Sequence, residues 1–484
     1  VSTGRSTGRH DGLAETLAWS YQLLSGEERT ALDAMATFAG TFTLDDATRL
    51  IHAAGEDGSR TGSVVSTLGS LVDKSLVERG ESGGTARYRL LETVRAFGAE
   101  RLAASGATAT WRRRHATFVV DLVERTDAAL RGPREAAHQH VLDEHAGDLR
   151  TARAWLVDDR DIDGLLRLCG GLRWFTDLRT RPEPFRWAED AVARGFPEFA
   201  EHPQMPAVLG MAAAGAIKRG HLDAAEALAA RAEELSRQTS GVGVEILSRV
   251  ALFRGELDAA VAYSRAAQER FRATGDEFAA VMAGTAEVLG LRYAGHRADA
   301  SAAVGRLLDG ARDVGCPSQL AFCEYCAAEV VIDDADRARS HLVRARELAR
   351  STGAEFVLGL ALTTLAGIDV RRRGPEAADH LRAALEHWER AGSWKQQWWL
   401  TLRFLIALLA DRREHRAVAV LAAAFEASTT PGPVYGQDAD RLEAAVAAAR
   451  ADLGRVAFEE AVVAGAALDD AGALAFGKAA LGAA

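Results

Sequence analysis

Three features of the 484-residue sequence predict a mostly α-helical chain, a small winged-helix domain followed by a solenoid of α-α helical hairpins. One strand pair around a Gly-rich turn lies near the N-terminus, between helix-like segments. Beyond Trp111 no further strand is evident, and Ala- and Leu-rich helical periodicity fills the rest. That periodicity recurs every 35 to 41 residues, the range of stacked helical hairpins.

Residues 1–12, "VSTGRSTGRHDG", carry no apolar pattern and are expected to be disordered. The winged-helix domain is expected over 13–104. Leu13, Leu17, Tyr21 and Leu24 fall at helical spacing, and Ser25 with Glu28 three residues on forms a capping box for a second helix. Thr43 caps a third helix ending near Gly55, and "GSVVSTLGSLVDKSL" supplies a fourth. The strands "SLVERG" and "RYRLL" flank the turn "ESGGTA", and an amphipathic helix runs to Leu102. Residues 111–190 read as a helical linker region and 191–427 as the repeats. Residues 428–484, opening on the Pro-rich "STTPGPVYGQD", read as the helical cap that covers the last apolar face of a solenoid.

The repeat pattern A-x-x-x-[small or Leu]-x-x-[A/L] ends at Ala191, Ala232, Ala267, Leu307, Ala345, Ala384 and Ala424. Antiparallel helices approach closely only where Ala or Gly replaces bulk, while Leu and aromatic positions fill the gap to the next hairpin. Gly220, Gly255 and Gly295 each open the second helix of a pair. The intervals sit just above the tetratricopeptide period of about 34 residues.

With 48% hydrophobic and 26% charged residues the chain is expected to fold. No apolar run approaches the roughly 20 residues of a membrane-spanning helix, and the first residues are unlike a signal peptide, so a cytoplasmic protein without membrane contact is expected. Cys169, Cys316, Cys323 and Cys326 are too few and too unevenly placed for a disulfide framework. A net charge of -10 argues against neutralising phosphates as the chain's main business. Direct base readout needs Arg, Lys, Asn or Gln on the recognition helix. The candidate helix offers only Asp73 and Lys74 as charges and an apolar stripe of Val64, Leu68, Leu71 and Val72. That stripe is the candidate interdomain interface, and the wing is expected to be an internal coupling element, with DNA reached only through another domain.

Other constellations have bland readings. Cys323 and Cys326, in "AFCEYCAAE", are spaced as two small core residues of one helix; a redox pair normally follows a strand. His138, His140 and His145 match neither H-E-x-x-H nor H-x-x-E-H, and a solvated helix face is expected, with no metal. Trp388, Trp394, Trp398 and Trp399 cluster in twelve residues. Filling of the groove between repeat helices is the favoured reading for Trp398 and Trp399, yet the cluster is the best single candidate for a partner surface. No arrangement of catalytic residues stands out, and the chain is not expected to be an enzyme.

"LAWSYQLLSGEERTALDAMATFAGTFTLDDA", "LVDKSLVERG" and "YRLLETVRAFGAERL" resemble the winged-helix segment that follows the NB-ARC module in bacterial signal-transduction ATPases with numerous domains (STAND), including LuxR-type and AfsR-type transcriptional regulators. "RRRHATFVVDLVE", "LDEHAGDLRTARAWLVDD" and "ARADLGRVAFEEAVVAGAALDDA" are similar to later helices of the same proteins, so the resemblance covers nearly the whole chain. Two departures stand out. The family's phosphate loop, G-x-x-x-x-G-K-[ST], does not occur ahead of Leu13, and Gly472, Gly477 and Lys478 fit it only up to Ala479, which lacks the metal-binding hydroxyl. Leu90, Leu91 and Glu92 stand where many relatives carry Met-His-Asp with a nucleotide-sensing histidine.

The resemblance therefore implies the sensor half of a STAND-type regulator. It would bind an inducer or protein partner on the solenoid and pass that event through the winged helix to an NB-ARC module in cis or trans. ATP or ADP is expected only in that module, and no cofactor in this chain. The alternatives are the sensor region of an adenylate-cyclase-type STAND protein and a free-standing scaffold protein; direct DNA binding by the winged helix is disfavoured.

Overall fold

The computed structural model describes residues 7–52, 61–179, 181–237, 239–392, 395–428 and 437–483, and within them one two-stranded sheet interrupts a succession of helices. The chain divides into two units, residues 1–126 with 137–171, and residues 127–136 with 172–484. The stretch 111–190 is thus shared between the two.

The first unit begins with α1 (Thr7–Gln22), which starts inside the stretch expected to be disordered; residues 1–6 lie outside the described residues. Then follow α2 (Gly26–Met35), α3 (Leu44–Ile51) and α4 (Thr61–Asp73), β1 (Val77–Ser82) and β2 (Thr85–Leu90), and α5 (Glu92–Ser105). Gly55, expected at the end of the third helix, lies outside the described residues. Ser25 and Thr43 cap α2 and α3 with capping boxes closed by Glu28 and Asp46. The strands pair from Val77 opposite Leu90 to Ser82 opposite Thr85, two rungs further than expected. The reason is the turn: Gly83 and Gly84 both take positive φ (57° and 77°), so two residues suffice to reverse the chain. Phe42 adds a bridge to Tyr88, making a third, minimal strand.

The unit is completed by α6 (Thr108–Leu130), α7 (Glu135–Glu144), α8 (Ala146–Asp158) and α9 (Ile162–Gly171), α6 and α7 crossing the division at Thr126 and Ala137. Its core holds Leu32, Met35, Leu50, Leu68 and Leu71, with Phe38 stacked on Phe42 at 4.5 Å and edge-on to Phe118.

The second unit is a helical solenoid. After α10 (Arg173–Asp177) and α11 (Pro182–Gly195) come the hairpins α12 (Met205–Lys218) with α13 (Leu222–Ser236), α14 (Val242–Arg254) with α15 (Leu257–Ala273), and α16 (Glu277–Tyr293) with α17 (Arg297–Val314). They continue as α18 (Pro317–Val330) with α19 (Ala335–Thr352), α20 (Glu355–Arg372) with α21 (Ala377–Ala391), and α22 (Lys395–Asp411) with α23 (His415–Ala427). Each first helix packs on its own partner and on the first helices of adjacent hairpins. First helices are therefore buried on several sides, which explains why α12 and α16 are apolar almost all round. The repeat positions from Ala232 onward lie on the second helices and Ala191 lies on α11; Ala191, Ala232, Ala267, Ala345 and Ala384 have no exposed surface. Gly220, Gly255 and Gly295 take φ between 80° and 83° at the hairpin turns, where a side chain would be strained.

Two features brace this unit. The Glu135 carboxylate, fully buried, accepts hydrogen bonds from the Ser318 amide at the start of α18, from the Ser318 hydroxyl and from Arg179. The Phe356 amide, at the start of α20, donates to the Leu178 carbonyl at 3.1 Å. At the far end α24 (Gln437–Ala466), bent at Gly454, and α25 (Asp470–Ala483) cover α22 and α23. No helix among the described residues is long and apolar enough to cross a membrane.

Candidate functional site

In the first unit the elements that would read DNA are engaged within the domain. Val64, Leu68 and Leu71 are buried, at 5%, 2% and 0% exposure, and Val72 is partly buried. The stripe therefore fills the domain's own core, where α4 packs on α2 and α3, and this corrects the expectation of an interdomain interface. An amphipathic pattern reports that a face is buried; it does not say by what. On the outer face Val65 is exposed, and the one lysine, Lys74, donates with Ser70 to Glu28. Those donors, Lys74 foremost, hold the Glu28 carboxyl at about 2.

The wing is occupied as well. Arg87 on β2 reaches Glu144 at the end of α7 at 3.0 Å and donates to the Thr41 carbonyl, while Ser82 at the wing tip donates to Glu144 and stands 3.4 Å from His140. His145, beside them, is not on a solvated face as expected. It is 1% exposed, with Nδ1 3.0 Å from Asp148 and Nε2 3.3 Å from Asp46, and Asp148 also binds His115 and the Ala39 amide. Burial alone would lower the His145 pKa, but the hydrogen bonds that the ring donates to the Asp148 and Asp46 carboxylates, with their negative charges, outweigh it and raise it to about 9.

Among the described residues the tryptophan cluster does not form a surface. Trp388 is fully buried, its ring against Gly359 and its Nε1 donating to Thr363, and Trp399 is 2% exposed and donates to Asp470. Both are core residues, which corrects their candidacy as a partner surface; Trp398 is partly buried against the same core and Trp394 lies outside the described residues. Cys323 and Cys326 are buried, and burial pushes both thiols well above their ordinary range. Gly472, Gly477 and Lys478 lie within α25, where Lys478 pairs with Glu389 at 2.7 Å. Among the described residues no group of three or more His, Cys, Asp or Glu is placed to hold a metal ion.

The solenoid carries a groove of about 820 Å³, walled by the first helices α14, α16, α18, α20 and α22. Its middle is apolar and aromatic, with Leu289, Tyr293, Phe322, Tyr325, Phe356 and Leu360. One end is a closed ionic network. Arg249 grips Asp177 at 3.0 and 3.2 Å, Lys218 donates to the Asp177 carbonyl, and Arg173 pairs with Glu245 at 2.7 Å. Burial opposes charge on Asp177, yet Arg249 and Lys218 hold its carboxyl well below the usual range; burial lowers Lys218 to about 8. Midway, Arg292 donates to the Glu329 carbonyl, and burial pushes the Glu329 carboxyl up despite a hydrogen bond from Thr364.

At the other end three arginines meet one carboxylate. Arg371 on α20 donates to both oxygens of Asp438, in the first turn of α24, at 3.1 and 2.9 Å. Arg403 on α22 stands 3.4 Å from Asp438 and Arg441 3.3 Å. Arg371 and Arg403 both lie against the Phe404 ring, at 5.3 and 4.9 Å from its centre. Sequence reasoning passed over these residues, although a signal exists: Arg249, Arg292, Arg371 and Arg403 each fall on a mostly apolar first helix.

Residues 24–103 match the winged helix-turn-helix domain family. Over 184 residues the chain is 36% identical to proteins of Mycobacterium bovis and Mycobacterium tuberculosis that carry the provisional description of HTH-type transcriptional regulator; the match covers 37% of this chain and 20% of theirs. The chain thus corresponds to about one fifth of the length of these relatives. Among solved structures, a STAND protein with a tetratricopeptide repeat sensor from Pyrococcus horikoshii is 14% identical, with a TM-score of 0.49 over 92% of this chain and 64% of that one. A Rap protein complexed with competence and sporulation factor is 12% identical, with a TM-score of 0.47 over 71% of this chain and 98% of its own.

Proposed function

We propose that this chain is the sensor and connector portion of a STAND-type transcriptional regulator. The solenoid groove takes up the effector, and the winged helix relays the event to an NB-ARC nucleotide-switch module in cis or trans rather than reading DNA itself. The observation that carries this reading is a contrast between the units. The wing and the inner face of α4 are engaged by contacts within their own domain, whereas the solenoid presents an aromatic groove flanked by arginines. Its volume suits a ligand of drug or short-peptide size. Relatives described as HTH-type regulators support the regulatory half of the reading, and the exposed Trp19 and Leu23, one helical turn apart, offer an apolar face for a neighbouring module.

A thermal-shift screen of the full chain against small-molecule and peptide libraries tests this. A stabilising compound should lose its effect in Leu360→Trp, which fills the groove, and keep it in Val65→Glu on the outer face of α4. A titration of duplex DNA should give only weak, salt-sensitive and sequence-independent binding. Sequence-selective binding weakened by Val65→Glu, or hits indifferent to Leu360→Trp, would overturn the proposal.

A further inference from the structure

The ionic groups of the groove are engaged with one another. Arg297 and Arg372 pair with Asp333 and Asp336, Arg292 donates to the Glu329 carbonyl, and the Glu329 carboxyl also faces Arg371 and Arg403, which meet Asp438. A charged ligand would have to break one of these pairs before forming its own. The hydroxyls of Ser248, Thr285, Thr363 and Thr364 each make a hydrogen bond as well. Gln397 on α22 differs. It lines the groove and is 3% exposed, yet its Oε1 is buried without a hydrogen-bond partner among the described residues. The Arg403 Nε is also unmatched, but that guanidinium is held by Asp438 through another nitrogen. Buried polar atoms are nearly always hydrogen-bonded, so the Gln397 carboxamide asks for an explanation. A leucine or a methionine would occupy similar space and leave no polar atom unmatched.

We infer that Gln397 is the polar recognition point of the groove, and that the groove takes an uncharged amphipathic molecule whose amide N–H and C=O lie on the same edge, as in a lactam or a primary carboxamide. The inference rests on the reading of the groove as the effector site. A carboxamide carries an acceptor oxygen and N–H donors side by side. A lactam or primary amide presents the same pair in one plane, so the two edges join through two N–H···O bonds, whereas an ester has no donor to offer. The trans amide of an ordinary peptide bond holds its N–H and C=O on opposite edges and cannot make both bonds to one carboxamide. Because an edge of this kind is its own complement, it pairs whichever way the Gln397 amide is turned. Leu400 and Phe404, three and seven residues on, share a face of α22 with Gln397 and line the groove, as Phe356 and Leu360 of α20 do. The apolar body of the ligand would lie along them.

Isothermal titration of the full chain with γ-decalactam and with octanamide, each against its ester twin, γ-decalactone and methyl octanoate, tests this. Each twin keeps the apolar body and loses the N–H. At least one amide should bind at least tenfold tighter than its twin; the probe with the larger preference identifies a ring or an open primary amide as the source. In Gln397→Leu the preference should fall below twofold while the esters bind as before, and the thermal midpoint should not drop, since an unmatched polar group has been replaced by an apolar one. Equal affinities of amide and ester for the wild type, a preference retained in Gln397→Leu, or no binding of either amide would overturn the inference. Should Gln397→Leu fail to fold, Gln397→Met, which keeps the length of the side chain, gives the same readout, and a preference retained there would equally overturn it. Leu360→Trp reports separately on the groove. Amides and esters that bind equally, and both lose affinity in Leu360→Trp, refute the amide recognition and leave the sensor reading standing; binding indifferent to Leu360→Trp removes both.

Discussion

Arg87 on the second wing strand and Glu144 at the end of α7 form an ion pair 3.0 Å long, with the arginine side chain 9% exposed. The pair fixes the wing to the domain that carries it. Arg87→Ala leaves Glu144 with the Ser82 and Thr41 hydroxyls and with His140 at 3.5 Å, and breaking a well-buried pair typically costs about 3–5 kcal/mol. Partial exposure of Glu144 reduces this to roughly 2 kcal/mol. Hydrogen exchange should rise first at the β1–β2 amides, and unchanged protection there would show that the wing is held by other means.

The network around His145 predicts a pH dependence of opposite sign to acid denaturation. The folded pKa of about 9 lies above the ordinary 6.5, so its contribution is complete below pH 6.5 and is lost as pH rises through 9. The full shift corresponds to at most about 3 kcal/mol. The stability of the first unit, followed by its own hydrogen exchange between pH 6.5 and 9.5, should fall in the wild type and change much less in His145→Gln. Parallel pH profiles would remove His145 as the cause.

Leu68 separates two accounts of α4. In the core position observed, Leu68→Glu buries a carboxylate without a partner and should destabilise the first unit by more than about 3 kcal/mol. Val65→Glu, on the outer face at 48% exposure, should stay within about 0.5 kcal/mol. Urea titrations of both variants decide the matter; a Leu68→Glu protein as stable as the wild type would restore the open-interface account.

Within the solenoid Ala345 is fully buried and Arg344, the residue before it, is exposed and 3.4 Å from Glu324. Ala345→Phe should overpack the contact of α19 with α18 and α20 at a cost of about 1–3 kcal/mol. Arg344→Phe loses only a long ion pair and should cost roughly 0.5 kcal/mol. Because repeats lean on their neighbours, protection should fall in α18 to α21 while the winged helix is unaffected. Equal losses in the two variants would refute the register.

The winged helix and the hairpins were legible because both write a short-range code. Gly83 and Gly84 dictate a tight reversal, Ser25 and Thr43 mark helix starts, and the alanines at one place per hairpin mark close helix contacts. What the sequence hid depends on pairing at a distance. The His145 imidazole looks solvated until Asp46 is brought across the domain to meet it. The stripe on α4 and the tryptophans 388 and 399 read equally well as surface or core, since periodicity marks a face without naming its neighbour. Asp438 follows the Pro-rich stretch after Ser428, so nothing local connects it with Arg371.

The bond from the Phe356 amide to the Leu178 carbonyl has a consequence for selectivity. A stack of hairpins touching only their neighbours can stretch like a spring, and its inner channel then accepts occupants of many lengths. A tie between the entry to the stack and its fifth hairpin fixes the pitch between them. If the groove takes up an effector as proposed, the span from Asp177 to Asp438 is then a fixed length against which that effector is measured.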